Sequence, residues 1–268
     1  MTEGVKHIIA VASGKGGVGK STVTANLALA MAAQGMRVGV LDADIYGPSQ
    51  AQMFDVPSDQ KPKSDDGQTF DPVTAKGVQL MSMAFLVDQK TPMIWRGPMA
   101  SGAFQQLLNQ SRWDNLDYLF IDMPPGTGDI QLTMAQKVEV SGAVIVTTPQ
   151  DIALLDAKRG IEMFRQVKVP VLGVVENMSL HTCSQCGHSE PIFGEGGGER
   201  IAKEYQTELL GQLPLALSIR EQMDKGHPSV EVDPEGPVAQ VFAKIAQKIR
   251  SEMDNKEETS GPSISFSD

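Results

Sequence analysis

Three groups of residues in this 268-residue chain could do chemistry together. The first is Gly14-Lys15-Gly16-Gly17-Val18-Gly19-Lys20-Ser21-Thr22, in which Gly14 to Ser21 fits G-x-x-x-x-G-K-[ST]. Glycines here let backbone N–H groups turn inward and leave room for phosphate oxygens. A helix opening at Ser21 adds the positive end of its dipole. Lys20 can then reach the β- and γ-phosphates of a nucleotide, and the Ser21 hydroxyl can take one place on Mg²⁺. Lys15 is one cation more than the pattern requires. A lysine there can reach nucleotide held by a second copy of the chain, as an arginine finger does in trans. The loop predicts binding of a nucleoside triphosphate.

The second group is acidic and sits at strand ends. Asp42 and Asp44, in Asp42-Ala43-Asp44-Ile45-Tyr46-Gly47-Pro48-Ser49, suit Mg²⁺ ligation through water and alignment of an attacking water. Capping of the next helix is the plainer use of such aspartates. Tyr118-Leu119-Phe120-Ile121-Asp122 reads as a buried strand ending in a Walker B carboxylate, so Asp122 is expected at Mg²⁺. Met123-Pro124-Pro125-Gly126-Thr127-Gly128-Asp129 is stiff at its prolines and free at its glycines. A backbone N–H near Gly126 could sense the γ-phosphate, with Asp129 a second candidate for positioning water. Asn177 ends a later strand, where its amide could pair with a purine edge or simply form a turn. Gln212-Leu213-Pro214-Leu215 is expected to cover the other side of the base, with Pro214 against it.

The third group is His181-Thr182-Cys183-Ser184-Gln185-Cys186-Gly187-His188, which holds both cysteines of the chain. A C-x-x-C loop can be half a metal site, a dithiol switch or two inert thiols. Structural zinc and most iron–sulfur clusters take four protein ligands. Thiolates alone therefore complete a site only if two chains each give Cys183 and Cys186. A zinc site within one chain, from His181, Cys183, Cys186 and His188, is the rival, strained by its short intervals.

These groups need a scaffold that brings strand ends together. Strands are expected at 7–13, 38–42, 78–83, 118–122, 143–147 and 171–177. Helices are expected after the loop to Gln34-Gly35, at 99–110 and at 152–167. The first of these carries Val23, Leu27, Ala30 and Met31 on one face. Val238, Val241, Phe242, Ile245, Ile249 and Met253 recur at helical spacing near the end, as core packing or as a membrane-surface face. Residues 55–77 read as an irregular excursion and 256–268 as a disordered tail. Trp95-Arg96-Gly97-Pro98 reads as a turn before a helix. Alternation of strands and helices predicts one α/β domain over 1–255, a doubly wound, mostly parallel sheet with the cysteine loop at 178–198.

A formal net charge of −10 argues against nucleic acid or an anionic membrane as the main partner. No secretory signal or membrane-spanning run is visible, and two cysteines two residues apart suit a reducing compartment, so a cytoplasmic protein is expected.

The motifs together resemble the Mrp/ApbC subfamily of deviant-Walker P-loop ATPases, relatives of the MinD/ParA ATPases and of eukaryotic cytosolic iron–sulfur scaffolds. The resemblance spans roughly residues 5 to 250 and rests on the 14–22 loop, Asp42–Ser49, Trp95–Pro98, Asp122–Asp129, Glu176-Asn177-Met178-Ser179 and the C-x-x-C. It implies ATP as nucleotide and slow hydrolysis that tunes dimer geometry. It also implies a homodimer that assembles a [4Fe–4S] cluster between the Cys183–Cys186 pairs and passes it to apo iron–sulfur proteins. By the family pattern Lys15 is the signature lysine, Asp44 aligns the water and Asp122 is the Walker B residue. Two departures are expected to matter: no extension precedes the loop, and the four-cysteine N-terminal motif of the eukaryotic scaffolds is missing. A ParA/MinD-like positional switch and a zinc-binding P-loop ATPase are the alternatives. A reductase like the nitrogenase iron protein fits poorly, because its cluster ligands lie far apart in sequence.

Overall fold

Seven of the eight residues in β1 (Val5–Ala12) are buried, so this strand has no solvent face. Near-continuous apolar runs of this kind fit a parallel sheet covered on both sides by helices. The computed structural model describes residues 4–85 and 97–260. Trp95 and Arg96 therefore lie outside the described residues, as do 261–268.

After β1 come α1 (Lys20–Ala33), β2 (Val38–Asp42), α2 (Gln50–Met53), β3 (Val73–Ala75) and β4 (Val78–Ser82). Next are α3 (Gly97–Gln110), β5 (Leu116–Asp122), α4 (Asp129–Lys137), β6 (Gly142–Thr147), α5 (Asp151–Gln166) and β7 (Val171–Glu176). A small hairpin, β8 (His181–Thr182) with β9 (Ser189–Glu190), precedes α6 (Gly197–Glu204) and β10 (Leu209–Gln212). Then α7 (Leu217–Asp224), α8 (Ser229–Val232) and α9 (Pro237–Ser260) follow. Among the described residues one eight-stranded sheet runs β10-β7-β6-β1-β5-β2-β4-β3. Every neighbouring pair is parallel except β3 with β4. The chain leaves β1 for β2 on one side and later fills β6 and β7 on the other. That reversal opens a crevice at the carboxyl end of β1, where open α/β sheets bind ligands.

The six strands expected from sequence are present to within a few residues, the β8–β9 hairpin and β10 are additional to them, and the doubly wound α/β class holds. Three differences have physical causes. First, α1 is buried on every side from Val23 to Met31, not along one stripe, because it is packed against both the sheet and α9. Second, α4 is a polar helix burying only Gln131, Met134 and Ala135, too few for a readable period. Third, α9 runs to Ser260, five residues into the stretch expected to be disordered. The irregular excursion is largely as expected, apart from β3.

In α9, Phe242, Ile245, Ile249 and Met253 are fully buried and the helix packs on α1 and β10. Its apolar face is thus committed to the core and not offered to a membrane surface. No helix among the described residues is long and apolar enough to cross a membrane. Phe242→Ala should lower unfolding free energy by about 3–5 kcal/mol in urea titration. Ile192→Ala, at a residue 52% exposed, should change it by less than about 0.5 kcal/mol.

Candidate functional site

The loop between β1 and α1 carries its glycines for distinct reasons. Gly19 caps α1 at φ 85°, a left-handed conformation that side chains resist. A Cβ there would lie 2.2 Å from Asn177 Nδ2. At Gly14 the obstacle is the α5 backbone, since a Cβ would lie 2.1 Å from the Asp156 carbonyl oxygen. Gly14 thus serves helix packing, and the phosphate cradle falls to the residues after it. Gly16, Gly17, Gly19, Lys20, Ser21 and Thr22 line a cavity of about 220 Å³, with Asp44 and Pro125 on its other walls. Val18 points inward as a buried anchor. Lys15 is half-buried, and its carbonyl accepts the Ser13 hydroxyl at 2.9 Å.

One buried cation serves several carboxylates. Lys20, 6% exposed, places Nζ 2.5 Å from Asp122 Oδ1, 3.3 Å from Ser21 Oγ and 4.0 Å from Asp44 Oδ2. Parallel pairing sets Asp42 directly beside Asp122 on the adjacent strand. Burial, and then the neighbouring Asp122 charge, push the Asp42 carboxyl up to about 7. Burial also raises Asp44, against the pull of Lys20. Asp42 takes hydrogen bonds from the Asp44, Ser49 and Gln50 amides and from Ser82 Oγ. These hydrogen bonds shape the 42–50 turn around it. Asp44 lines the loop cavity.

Gln50 is a residue of this site that the sequence did not announce. Fully buried, it donates from Nε2 to Ser21 O at 3.0 Å and to Asp122 Oδ2 at 2.8 Å. Both partners are acceptors, so the amide orientation is fixed. Gln50 joins the phosphate loop, the Asp122 strand and the Asp42 turn. Its only sequence signal is its position after Gly47-Pro48-Ser49, since contacts between segments leave no local pattern.

Asn177 is brought to the loop, but its amide is used there. Nδ2 donates to Val18 O at 2.9 Å, and Oδ1 accepts the Met178 amide at 3.0 Å. The edge expected to meet a purine therefore grips the phosphate loop. Pro214 is half-buried beside this strand end, where Leu213 and Leu215 hydrogen-bond to the 176–180 segment. Gly126, at φ 105°, donates its N–H to Ser13 O at 2.9 Å, so the 123–129 segment is tied to the root of the loop. Asp129 is not brought in. Exposed at the start of α4, it lines a separate depression with Lys158, Arg159 and Tyr205.

The thiols sit in the turn at the tip of the β8–β9 hairpin, which follows Asn177 in the chain. Cys183 N–H donates to His188 O and Gly187 N–H to Cys183 O, which closes a tight turn. Hydrogen bonds from the Cys186 and Gln185 amides and from the Cys186 thiol lower the Cys183 pKa, favouring its thiolate. Cys183 is half-buried and Cys186 exposed. His181 Nδ1 lies 3.1 Å from Leu215 O, turned into the segment next to it. No group of three or more His, Cys, Asp or Glu side chains able to hold a metal occurs among the described residues. His181, Cys183, Cys186 and His188 are thus not gathered into one such group.

A glycine loop at a sheet switch point, with a buried lysine and strand-end carboxylates, defines the class of P-loop NTPases. A family model described as "ParA: NUBPL iron-transfer P-loop NTPase" matches residues 4–250, and the chain belongs to that family. An iron–sulfur cluster carrier protein of Pseudomonas fragi is 64% identical over 90% of this chain and 84% of its own. The mouse iron–sulfur cluster transfer protein NUBPL is 49% identical over 92% of this chain and 77% of its own. A nucleotide-binding protein from Archaeoglobus fulgidus, solved with ADP and cobalt, superposes with a TM-score of 0.75 at 39% identity, covering 88% of this chain and 91% of that one. The cell-division ATPase MinD of Pyrococcus furiosus shares the fold, with a TM-score of 0.68 at 24% identity, covering 92% and 99% of the two chains.

Gln50→Leu should cost about 1–3 kcal/mol of unfolding free energy, because Ser21 O and Asp122 Oδ2 each lose a buried donor. Chemical denaturation of the purified chain measures it.

Proposed function

We propose that this chain is an ATP-dependent carrier. It holds a [4Fe–4S] cluster between the Cys183–Cys186 pairs of two copies and passes it to apo iron–sulfur proteins. The observation that carries this reading is the half-site itself: two thiols on a hairpin, one with its thiolate favoured, rooted beside a phosphate loop. A [4Fe–4S] cargo takes four thiolates, and two chains supply four. Chains named as iron–sulfur carriers and transfer proteins at 64% and 49% identity support the same cargo.

On the nucleotide side, loop amides and Lys20 bind the phosphates, drawing Lys20 from its shared position among Asp122, Ser21 and Asp44. Ser21 Oγ and the Asp122 carboxylate are oxygen donors of the kind Mg²⁺ takes, and Gln50 bridges their two segments. Ser21 and Asp122 would hold Mg²⁺ there, and the ion would supply neutralisation of phosphate charge. Asp44, on the cavity wall, orients the attacking water. Lys15 reaches the nucleotide of the other copy, so hydrolysis requires pairing. Gly126, bonded to Ser13 O, links the state of the loop to the 123–129 segment.

Anaerobic reconstitution with iron and sulfide tests the cargo. The expected product is a brown dimer with four irons per two chains by iron assay, visible absorption and molecular mass. Cys183→Ala should abolish it, while His181→Ala and His188→Ala should leave it intact. Zinc held by a monomer and lost in the histidine variants would overturn this reading. For Lys15→Ala, steady-state hydrolysis should fall by about 10³-fold or more while ADP affinity is retained, as fluorescent-ADP titration can show.

A further inference from the structure

Glu176 is fully buried at the end of β7, and none of the chemistry above uses it. Its carboxylate accepts the Gly198 N–H at 2.5 Å and Gln212 Nε2 at 2.7 Å. Gly198 belongs to the first turn of α6, whose backbone N–H groups have no partner within the helix. The chain re-enters the fold at α6 after the cysteine hairpin, so Glu176 fastens the returning limb. Packing there is close: a Cβ at Gly198 would lie 2.9 Å from Glu176 Cβ and 3.0 Å from Leu209 Cδ1.

The outgoing limb is fastened at the adjacent residue. Asn177 holds Val18 of the phosphate loop, and Met178 then takes a left-handed φ of 57°, an unusual conformation for such a side chain. Ser179 N–H donates to Leu213 O, Leu215 N–H to Leu180 O, and His181 Nδ1 faces Leu215 O. Cys183 follows two residues later. Successive side chains along a strand leave in opposite directions, so one strand end serves two attachments. Asn177 meets the phosphate loop and Glu176 meets the limb that returns from the thiols.

We propose that Glu176 is a positioning residue for Cys183 and Cys186, carrying movement of the phosphate loop, received through Asn177, into the thiol hairpin within a single chain. This rests on the reading of those thiols as the metal site, but its signature is in the metal-free thiols themselves.

The test follows iodoacetamide alkylation of Cys183 and Cys186 in the full, metal-free chain by mass spectrometry, with and without ADP and Mg²⁺. Two protein concentrations separate an in-chain effect from association. Nucleotide should change the alkylation rate at least about fivefold, equally at both concentrations. Glu176→Ala should reduce that response below about twofold with ADP affinity unchanged, and Glu176→Gln, which keeps an acceptor for Gly198, should restore it. Should Glu176→Ala fail to fold, Gln212→Ala, at an exposed position, removes the other partner and should weaken the response. Any of four results overturns the proposal: wild-type thiols indifferent to ADP, a response confined to the higher concentration, a full response in the folded variant, or ADP affinity lost with the response. Cluster assembly in reconstitution would stand despite any of these, whereas an intact thiol response without a cluster would sink the carrier reading alone.

Discussion

Lys20 and Asp122 meet in the interior, and the organisation of this end of the molecule follows from that meeting. Removing two opposite charges from water offsets most of their attraction, so such a pair adds little net stability. Its consequence is geometric. The lysine is drawn under the phosphate loop, and the aspartate is fixed behind Ser21 by Thr24 and Gln50. Asp42 and Asp44 crowd the same cation, and three carboxylates cannot all be satisfied by one lysine. Asp42 yields, its carboxyl pushed up to about 7 by burial and by Asp122. It lives instead on hydrogen bonds from the turn that it shapes.

The sheet makes this possible. Parallel register puts Asp42, Asp122 and the loop at the same edge of three adjacent strands, β2, β5 and β1. Two strands further along, β7 ends in Glu176 and Asn177, which face different neighbours and tie the thiol hairpin to the same edge. The phosphate loop and the thiol hairpin therefore share one rim, although His181, the first residue of the hairpin, lies 163 positions after Val18.

Much of this was legible in the residues. The phosphate loop, the Asp122 strand and the C-x-x-C each carry their chemistry in contiguous letters, since the backbone within one turn sets their geometry. Asp44 at the cavity wall was legible for the same reason. Asp129 was misplaced because the helix that begins there turns its first residue outward. The burial of Asp42 and its bond from Ser82 were not legible, because its neighbours on β5 and β4 are not local. Gln50 was silent, and Glu176 entered only as part of a motif without a role: what each residue holds depends on partners far away in the chain.

By itself the sequence determined an alternating α/β chain, a phosphate-binding loop with a surplus lysine, and two thiols that cannot enclose a cluster alone. Those properties follow from hydrophobic periodicity and from residue types at short spacing, which act before any long-range contact forms. Tertiary structure decided which carboxylate faces the cavity, which amide holds the loop, and that the thiol hairpin is rooted beside the phosphates. Such decisions depend on burial and on partners far away in the chain, and only the packed sheet supplies both.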